Sequence, residues 1–282
     1  MNMENYKDHL LNYFSTVIEN ETGIIYDNSN KYLLLSRVQS LIKQLNFNSI
    51  DSLWNDIQTN GLNRQLKDLL LDMATNNETS FFRDSKLFDF LKNVYVPKIM
   101  ANANKIKIWC AATSTGQEPY SIAMIMNELK EQGIYKSYEI FGTDISDRVL
   151  KQAKSGIYSL LEVQRGLSSQ YLAKYFDEIH IDGSSSPSYK IKPELSAFMT
   201  FKQLNLLQSW PMTEPFDIIF CRNVLIYQSI ENKKSVISRF SRLLNPNGYL
   251  VLGGAESILQ LSDDYEIESY ENTTVHRLKS KQ

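Results

Sequence analysis

Several short polar stretches in this chain follow directly on apolar runs, and their residue types restrict the chemistry they could perform. Ile106 to Cys110 empties into Ala111-Ala112-Thr113-Ser114-Thr115-Gly116-Gln117-Glu118-Pro119-Tyr120. Small side chains let a ligand approach the backbone, and Pro119 suits the first turn of a helix. The stretch is neither a G-x-G-x-x-G dinucleotide fingerprint nor a P-loop, which requires Gly-Lys-Ser/Thr. Glu118 at that helix start would repel a phosphate but attract an amino group, so a phosphate-free, cationic cofactor fits better. Read alone, Glu118 need only stabilise the helix dipole, an effect of roughly 0.3–1 kcal/mol.

A second run ends in Gly142-Thr143-Asp144, with Ser146 placed to cap the next helix. After a nucleotide-type first turn, an acidic residue here is the usual partner of two ribose hydroxyls; alone, Asp144 reads equally as an aspartate opening a helix. Phe216 to Cys221 runs into Arg222-Asn223-Val224-Leu225-Ile226-Tyr227. That places donors where a substrate carbonyl or carboxylate could sit, the plainer alternative being a helix cap and a packed tyrosine. Asn205-Leu206-Leu207 offers an amide and apolar side chains to the edge and face of an adenine ring. In Asn77-Glu78-Thr79-Ser80-Phe81-Phe82-Arg83, adjacent aromatics ordinarily pack between domains, yet Asn77, Thr79 and Arg83 bracket them like the wall of a cleft.

The elements that must carry these residues follow from periodicity. From Tyr6 to about Leu71 apolar residues recur at helical spacing, with Leu34, Val38, Leu41 and Leu45 forming one stripe and Leu35 and Ile42 beside it. Breaks fall at Thr22-Gly23, 27–30, 46–49 and Asn60-Gly61, and Ser49 is placed to cap Ile50 to Gln58. A helical stretch from Lys86 to Met100 follows. Strands are then expected over Lys105 to Cys110, Tyr138 to Thr143, Phe216 to Cys221, Gly248 to Gly253, Tyr265 to Tyr270 and Thr274 to Leu278. Helices fit Glu118 to Lys130, Asp147 to Lys154 and Glu231 to Leu243. Such alternation predicts an α/β fold with a mostly parallel sheet covered on both faces, closed by a C-terminal antiparallel hairpin.

The segment from Glu178 to Gln203, with its turn Gly183-Ser184-Ser185-Ser186-Pro187, reads as a small antiparallel β insertion. It is either a surface flap or a docking module that offers a strand edge to a peptide. The predicted organisation is a helical domain over 1–76, a linker and helix over 77–104, and an α/β domain over 105–282 with its insertion at about 178–203.

A length of 282 residues allows two cores, and 43% of them are hydrophobic. With a net charge of −2 there is no strong basic field to hold a nucleic acid. No apolar run reaches the roughly 20 residues of a membrane span, and MNMENYKDHL lacks the order of a signal peptide, so a cytoplasmic location without membrane insertion is expected. Cys110 and Cys221 are too few for a metal site, and His9, His180 and His276 lie far apart, so no metal is expected.

Taken together, the motifs resemble the chemotaxis receptor protein-glutamate O-methyltransferases of the CheR type over nearly the whole chain. The resemblance rests on N-x-T-x-F-F-R at Asn77 to Arg83, A-x-S-T-G-x-E-P-Y-S at Ala112 to Ser121 and T-D-I at Thr143 to Ile145. It continues in N-L-L at Asn205 to Leu207 and F-D-x-I-F-C-R-N-V-x-I-Y at Phe216 to Tyr227. Departures are Gln117, where glutamate is frequent, and Gly253-Gly254-Ala255-Glu256-Ser257, where the family more often has G-H-S-E.

The resemblance implies a Rossmann-like S-adenosylmethionine-dependent methyltransferase sheet preceded by the all-helical domain. The activity it implies is esterification of glutamates on methyl-accepting chemotaxis receptors, with S-adenosylhomocysteine as product. Asn77, Thr79, Arg83, Glu118, Asp144, Asn205, Leu206, Arg222 and Asn223 should line the cofactor site, with Asp144 on the ribose and Glu118 near the methionine amino group. Arg83 and Tyr227 should face the transferable methyl. The insertion would be the family's β-subdomain, which in some members binds the receptor's C-terminal peptide. The helical domain is the expected receptor contact: Lys31, Arg37 and Lys43 lie in a stretch without acids, although their spacing spreads them around a helix. Two alternatives stand beside this reading: a methyltransferase of the same scaffold acting on another acceptor, and a non-catalytic cofactor sensor.

Overall fold

The computed structural model describes residues 3–28, 30–100, 105–134, 137–271 and 273–280. Ser29, within one expected break, and 101–104, at the end of the expected linker, lie outside the described residues. The N-terminal part is built from α1 (Met3–Thr22), α2 (Lys31–Gln44), α3 (Ile50–Asn60) and α4 (Arg64–Ala74). Helical spacing puts Leu34, Val38, Leu41 and Ile42 on one buried stripe of α2. These pack with Leu10, Phe14, Ile18, Leu53 and Leu70 into a core separate from that of the sheet. Ser49 caps α3 through a reciprocal pair of bonds with Ser52.

Two of the three cations expected at a receptor contact are engaged within the helical domain. Arg37 turns inward, donating to the Ala74 carbonyl at 2.6 Å with its guanidinium 5.7 Å from the Tyr26 ring centroid. Lys31 donates to the Asn12 side-chain carbonyl at 3.1 Å and pairs with Asp8. Their positions serve the helical domain itself.

The link continues as one helical rod, α5 (Ser85–Phe90), a π-helical turn (Leu91–Tyr95) and α6 (Val96–Met100). The sheet region then runs β1 (Lys105–Ala111), α7 (Gln117–Glu131), β2 (Ser137–Asp144), α8 (Asp147–Ser155), β3 (Ile157–Ser159), α9 (Leu160–Gln164), α10 (Ser169–Tyr175), β4 (Phe176–Ile179), β5 (Ser188–Ile191), α11 (Pro193–Ser196) and β6 (Met199–Gln203). It closes with β7 (Phe216–Cys221), a 3₁₀ turn (Leu225–Tyr227), α12 (Ile230–Leu243), β8 (Leu244–Leu252), β9 (Tyr265–Tyr270) and β10 (Thr273–Leu278).

The main sheet has the order β6-β2-β1-β7-β8-β10-β9, parallel from β6 to β8, with β10 antiparallel to both neighbours. Period-2 alternation explains why the central strands read as nearly continuous apolar runs. Ile108, Cys110, Ile218 and Phe220 face one core, whereas Trp109, Ala111, Ile219 and Cys221 face the other.

The insertion differs from the expectation at both ends. It starts earlier, because β3 pairs with β5 in a second sheet of order β3-β5-β4. It also ends earlier, because Met199–Gln203 leaves it and pairs parallel with β2, Asp144 opposite Gln203. A run of five residues carries alternation but no information about its partner, and the open edge of β2 decides the pairing.

Gly166 controls how the link meets this framework. At φ 93° it lies so close to the link that an added Cβ would fall 1.9 Å from the Phe81 carbonyl oxygen. Gly166→Ala should therefore lower the unfolding free energy by about 1–3 kcal/mol through combined overpacking and backbone strain. Denaturant midpoints would show this, and an unchanged midpoint would mean that the link is free to move away.

Candidate functional site

The chain passes outward from β1 to β2 and β6 on one side and returns to β7 and β8 on the other, so the sheet switches direction between β1 and β7. Ligands of open α/β sheets bind beyond the strand ends at such a switch. Here a cleft of about 1140 Å³, including its part open to solvent, is lined by all ten residues singled out in the sequence: Asn77, Thr79, Arg83, Glu118, Asp144, Asn205, Leu206, Arg222, Asn223 and Tyr227.

The floor is the loop after β1. Ala112 and Ser114 hold positive φ values of 61° and 51°, a strained backbone that a polar framework must fix. Thr113 N–H donates to the Thr143 carbonyl at 2.8 Å, Ser114 N–H to Asp144 Oδ2 at 2.8 Å, and the Ser114 hydroxyl to the Asn77 carbonyl at 2.8 Å. Gln117, where the resembled family often has glutamate, is buried and accepts the Thr115 hydroxyl at 2.7 Å. The loop thus ties the ends of β1 and β2 to the link.

Asp144 accepts a second N–H, from Ser146, at 3.0 Å. Burial nevertheless dominates and pushes its carboxyl up to about 6, against the N–H groups of Ser146, Ser114 and Ile145, with nearby Asp72 adding to the rise.

Arg222 is the other buried charge. Its Nη1 donates to Glu118 at 2.8 Å, and its Nη2 donates to Asp84 and to the Arg83 carbonyl, the latter at 3.1 Å. The guanidinium is therefore committed to holding Glu118 and the link, and does not stand free for a substrate carboxylate. Its Nε is buried without a hydrogen-bond partner. Arg83 itself lines the cleft and donates to the Glu78 carbonyl at 3.2 Å. The Tyr227 hydroxyl accepts from Asn76 at 3.1 Å. Phe81 and Phe82 turn away from the cleft: Phe81 meets Tyr158 and Phe176 edge-on, and Phe82 stacks on Tyr171. The link is thus both domain packing and cleft wall.

The helical domain contributes more than sequence reasoning assigned to it. Thr22, Ile24 and Thr75 line the cleft. Asn205 donates to the Glu21 carbonyl at 2.6 Å while its Oδ1 accepts Leu207 N–H, and Gln228 donates to the Thr22 carbonyl at 2.8 Å. Asp72 accepts from the Ser146 hydroxyl and from Arg148 Nε. Asp72, Asp84 and Gln228 were not legible as site residues because their partners lie far away in the sequence. Cys110 and Cys221 are fully buried, and burial pushes both thiols well up, so they pack as small hydrophobes.

Residues 77–274 match the family described as "CheR methyltransferase, SAM binding domain", and residues 2–75 match "CheR methyltransferase, all-alpha domain". The chain belongs to the CheR methyltransferase family. Among its relatives, a "Chemotaxis protein methyltransferase" of Vibrio anguillarum is 38% identical over 268 residues, covering 94% of this chain and 95% of that one. "Chemotaxis protein methyltransferase 1" of Pseudomonas aeruginosa is 35% identical over 271 residues, covering 94% and 96%. Among solved structures, a TehB-like SAM-dependent methyltransferase from Corynebacterium glutamicum aligns at TM-score 0.37 and 14% identity, covering 70% of this chain and 95% of that one.

The cleft of this CheR methyltransferase fits S-adenosylmethionine by its donor set. A buried carboxylate at the β2 end suits vicinal hydroxyls, a carboxylate at the start of α7 suits an ammonium, and the orphaned Arg222 Nε is a donor still to be satisfied.

The Asp144 shift has a measurable consequence. Its folded value, about 6, lies above the ordinary 3.8, so the folded chain holds this proton more tightly than the unfolded one. The resulting stabilisation is fully present at low pH and is lost as pH rises through about 6. Asp144→Asn cannot ionise, so its stability relative to the parent should improve from about pH 5 to about pH 7 in paired denaturation curves. A difference that stays flat across that window would show that Asp144 is ionised throughout.

Proposed function

We propose that this methyltransferase acts in the cytoplasm on chemoreceptors, moving a methyl group from S-adenosylmethionine to glutamate side chains of the receptor signalling domain and leaving S-adenosylhomocysteine. The observation that carries the carboxylate acceptor is the composition of the cleft. Among the described residues lining it there is no His, Lys or Cys; its carboxylates are already engaged, Glu118 by Arg222, Glu78 by Arg165 and Asp144 by the N–H groups of Ser114 and Ser146. An amine or hydroxyl acceptor needs a base to take its proton. A glutamate with an ordinary value near 4.3 is already ionised at neutral pH and needs none.

In this reading Asp144 holds the ribose hydroxyls, Asn205 and Leu206 border the adenine, and Glu118 meets the methionine ammonium. Asn77, Thr79, Arg222 and Asn223 complete the wall. When bound, S-adenosylmethionine would supply an electrophilic sulfonium methyl for in-line displacement by the acceptor carboxylate, with S-adenosylhomocysteine as the leaving group. What the chain must add is position and exclusion of water, which together account for large effective molarities. Arg83 is suited to orient the acceptor through its planar guanidinium, guiding one carboxylate oxygen and leaving the other free to attack. Tyr227 lies on the same cleft, where its ring can stabilise a cationic sulfur or its hydroxyl can bond the acceptor. Among the described residues no helix is long and apolar enough to cross a membrane. The chain would therefore meet the receptor through that protein's own cytoplasmic part, with the small β3-β5-β4 sheet as a further contact for a receptor C-terminal peptide.

The deciding experiment is transfer of labelled methyl to purified receptor signalling domains, followed by mild base. Label released by base and mapped to glutamates is expected; base-stable label would mean N-methylation, and no receptor label despite cofactor binding would sink the acceptor. In the same assay Arg83→Ala should lower kcat by roughly 100-fold, the scale of a misplaced reacting group. Near-normal turnover in that variant would remove Arg83 from the orienting role.

A further inference from the structure

Glu256 does not line the cleft, yet its carboxylate organises one side of it. Oε1 accepts N–H bonds from Val224 at 2.9 Å and Ile226 at 3.2 Å; Oε2 accepts from Asn223 at 2.8 Å and Gly253 at 2.7 Å. Four backbone donors fill the acceptor capacity of one carboxylate. Three of them belong to the segment between β7 and α12 that carries Asn223 and Tyr227.

Bonds within that segment close only the turn itself, Tyr227 N–H to the Val224 carbonyl at 3.3 Å and Gln228 N–H to the Leu225 carbonyl at 3.0 Å. The β7–β8 ladder stops at Cys221 opposite Leu252, so beyond it no strand pairing fixes the backbone. The 3₁₀ turn Leu225–Tyr227 opens at Val224, which offers no side-chain cap. The free N–H groups at such a turn need an acceptor, and here it comes from the next loop of the sheet. Asn223 is also held at φ 59°, a left-handed conformation that persists only where its surroundings fix it. The two loops are in close contact: a Cβ on Gly253 would lie 2.7 Å from Asn223 Nδ2 and 2.9 Å from Asn223 N. The Glu256 N–H closes its own turn onto the Gly253 carbonyl at 2.8 Å, so the carboxylate is presented from a braced base.

We propose that Glu256 is a positioning residue, whose carboxylate presents Asn223 and Tyr227 to the cleft while touching neither cofactor nor acceptor. The inference rests on the reading of the cleft as a methyl-transfer site, and deepens it by assigning the alignment of one wall to a group outside it.

The test uses Glu256→Gln and Glu256→Asp in the full chain, with S-adenosylhomocysteine as the probe. Glutamine has the same shape but turns an NH₂ group toward two of the four N–H donors; aspartate keeps the charge on a shorter arm. Well below both melting temperatures, Glu256→Gln should bind S-adenosylhomocysteine at least about tenfold more weakly by calorimetry, with kcat lowered by at least a similar factor and Glu256→Asp recovering part of both losses. Amide exchange should accelerate at Asn223, Val224, Ile226 and Gly253 while Ile219 and Phe220 in β7 keep their rates.

Affinity and turnover of the folded variant within twofold of the parent would overturn the proposal, even with a lowered melting temperature. So would exchange that quickens evenly along β7. Should Glu256→Gln not fold, Glu256→Asp decides by the same readouts. Affinity and exchange need no acceptor, so the expected losses combined with an absence of receptor labelling would support Glu256 and count against the receptor instead.

Discussion

A guanidinium that is 4% exposed must keep its charge among partners that came with it out of water, and Arg222 finds them in two separate parts of the chain. Glu118 comes from the start of α7, and Asp84 and the Arg83 carbonyl from the link. Burial opposes the charge, but the two carboxylates together outweigh it and keep the guanidinium firmly protonated. Removing Arg222 would leave the largely buried Glu118 carboxylate uncompensated, which costs far more than an exposed pair contributes. The end of β7, the start of α7 and the link are therefore fixed to one point, and the cleft exists between them.

Asp144 is the counterpart on the other side of β1. Its burial is severe enough to outweigh the backbone N–H groups aimed at it, so the cleft holds an acid whose ionised form is under-stabilised. A ligand that brings hydroxyl donors would remove that deficit. Asp72 connects the same corner to the helical domain through Ser146 and Arg148, and Asn205 and Gln228 reach the carbonyls at the end of α1. The helical domain is thus a wall of the cleft, and its position is coupled to residues that line the other walls.

Much of this was legible beforehand, for identifiable reasons. Strand ends followed by small, polar residues are where ligands bind in parallel sheets, because all the carboxyl ends point the same way, and that rule picks out Glu118, Asp144 and Asn223, which line the cleft. The separate core of the helical domain followed from the 3.6-residue spacing of Leu34, Val38 and Leu41. Residues acting through contacts distant in sequence escaped. Asp72 looks like any acid on an amphipathic helix, and Glu256 sits in the segment that departs from the family pattern. Arg37 is one of three cations in a stretch without acids, and nothing local to it shows that the Tyr26 ring and the Ala74 carbonyl draw it inward.

By itself, then, the sequence determined most of the element types, the separate core of the helical domain and the set of residues that line the cleft, since these depend on periodicity and local chemistry within a few residues. Only the tertiary structure decided which of those residues are free to meet a ligand and which are held by other parts of the chain. It turned Arg222 and Asn205 into braces, moved Met199–Gln203 from the insertion to the edge of the main sheet, and set the Glu256 carboxylate over four amides. Hydrogen-bond and charge satisfaction in a dry interior is a property of the assembled neighbourhood, and no window along the chain contains both partners.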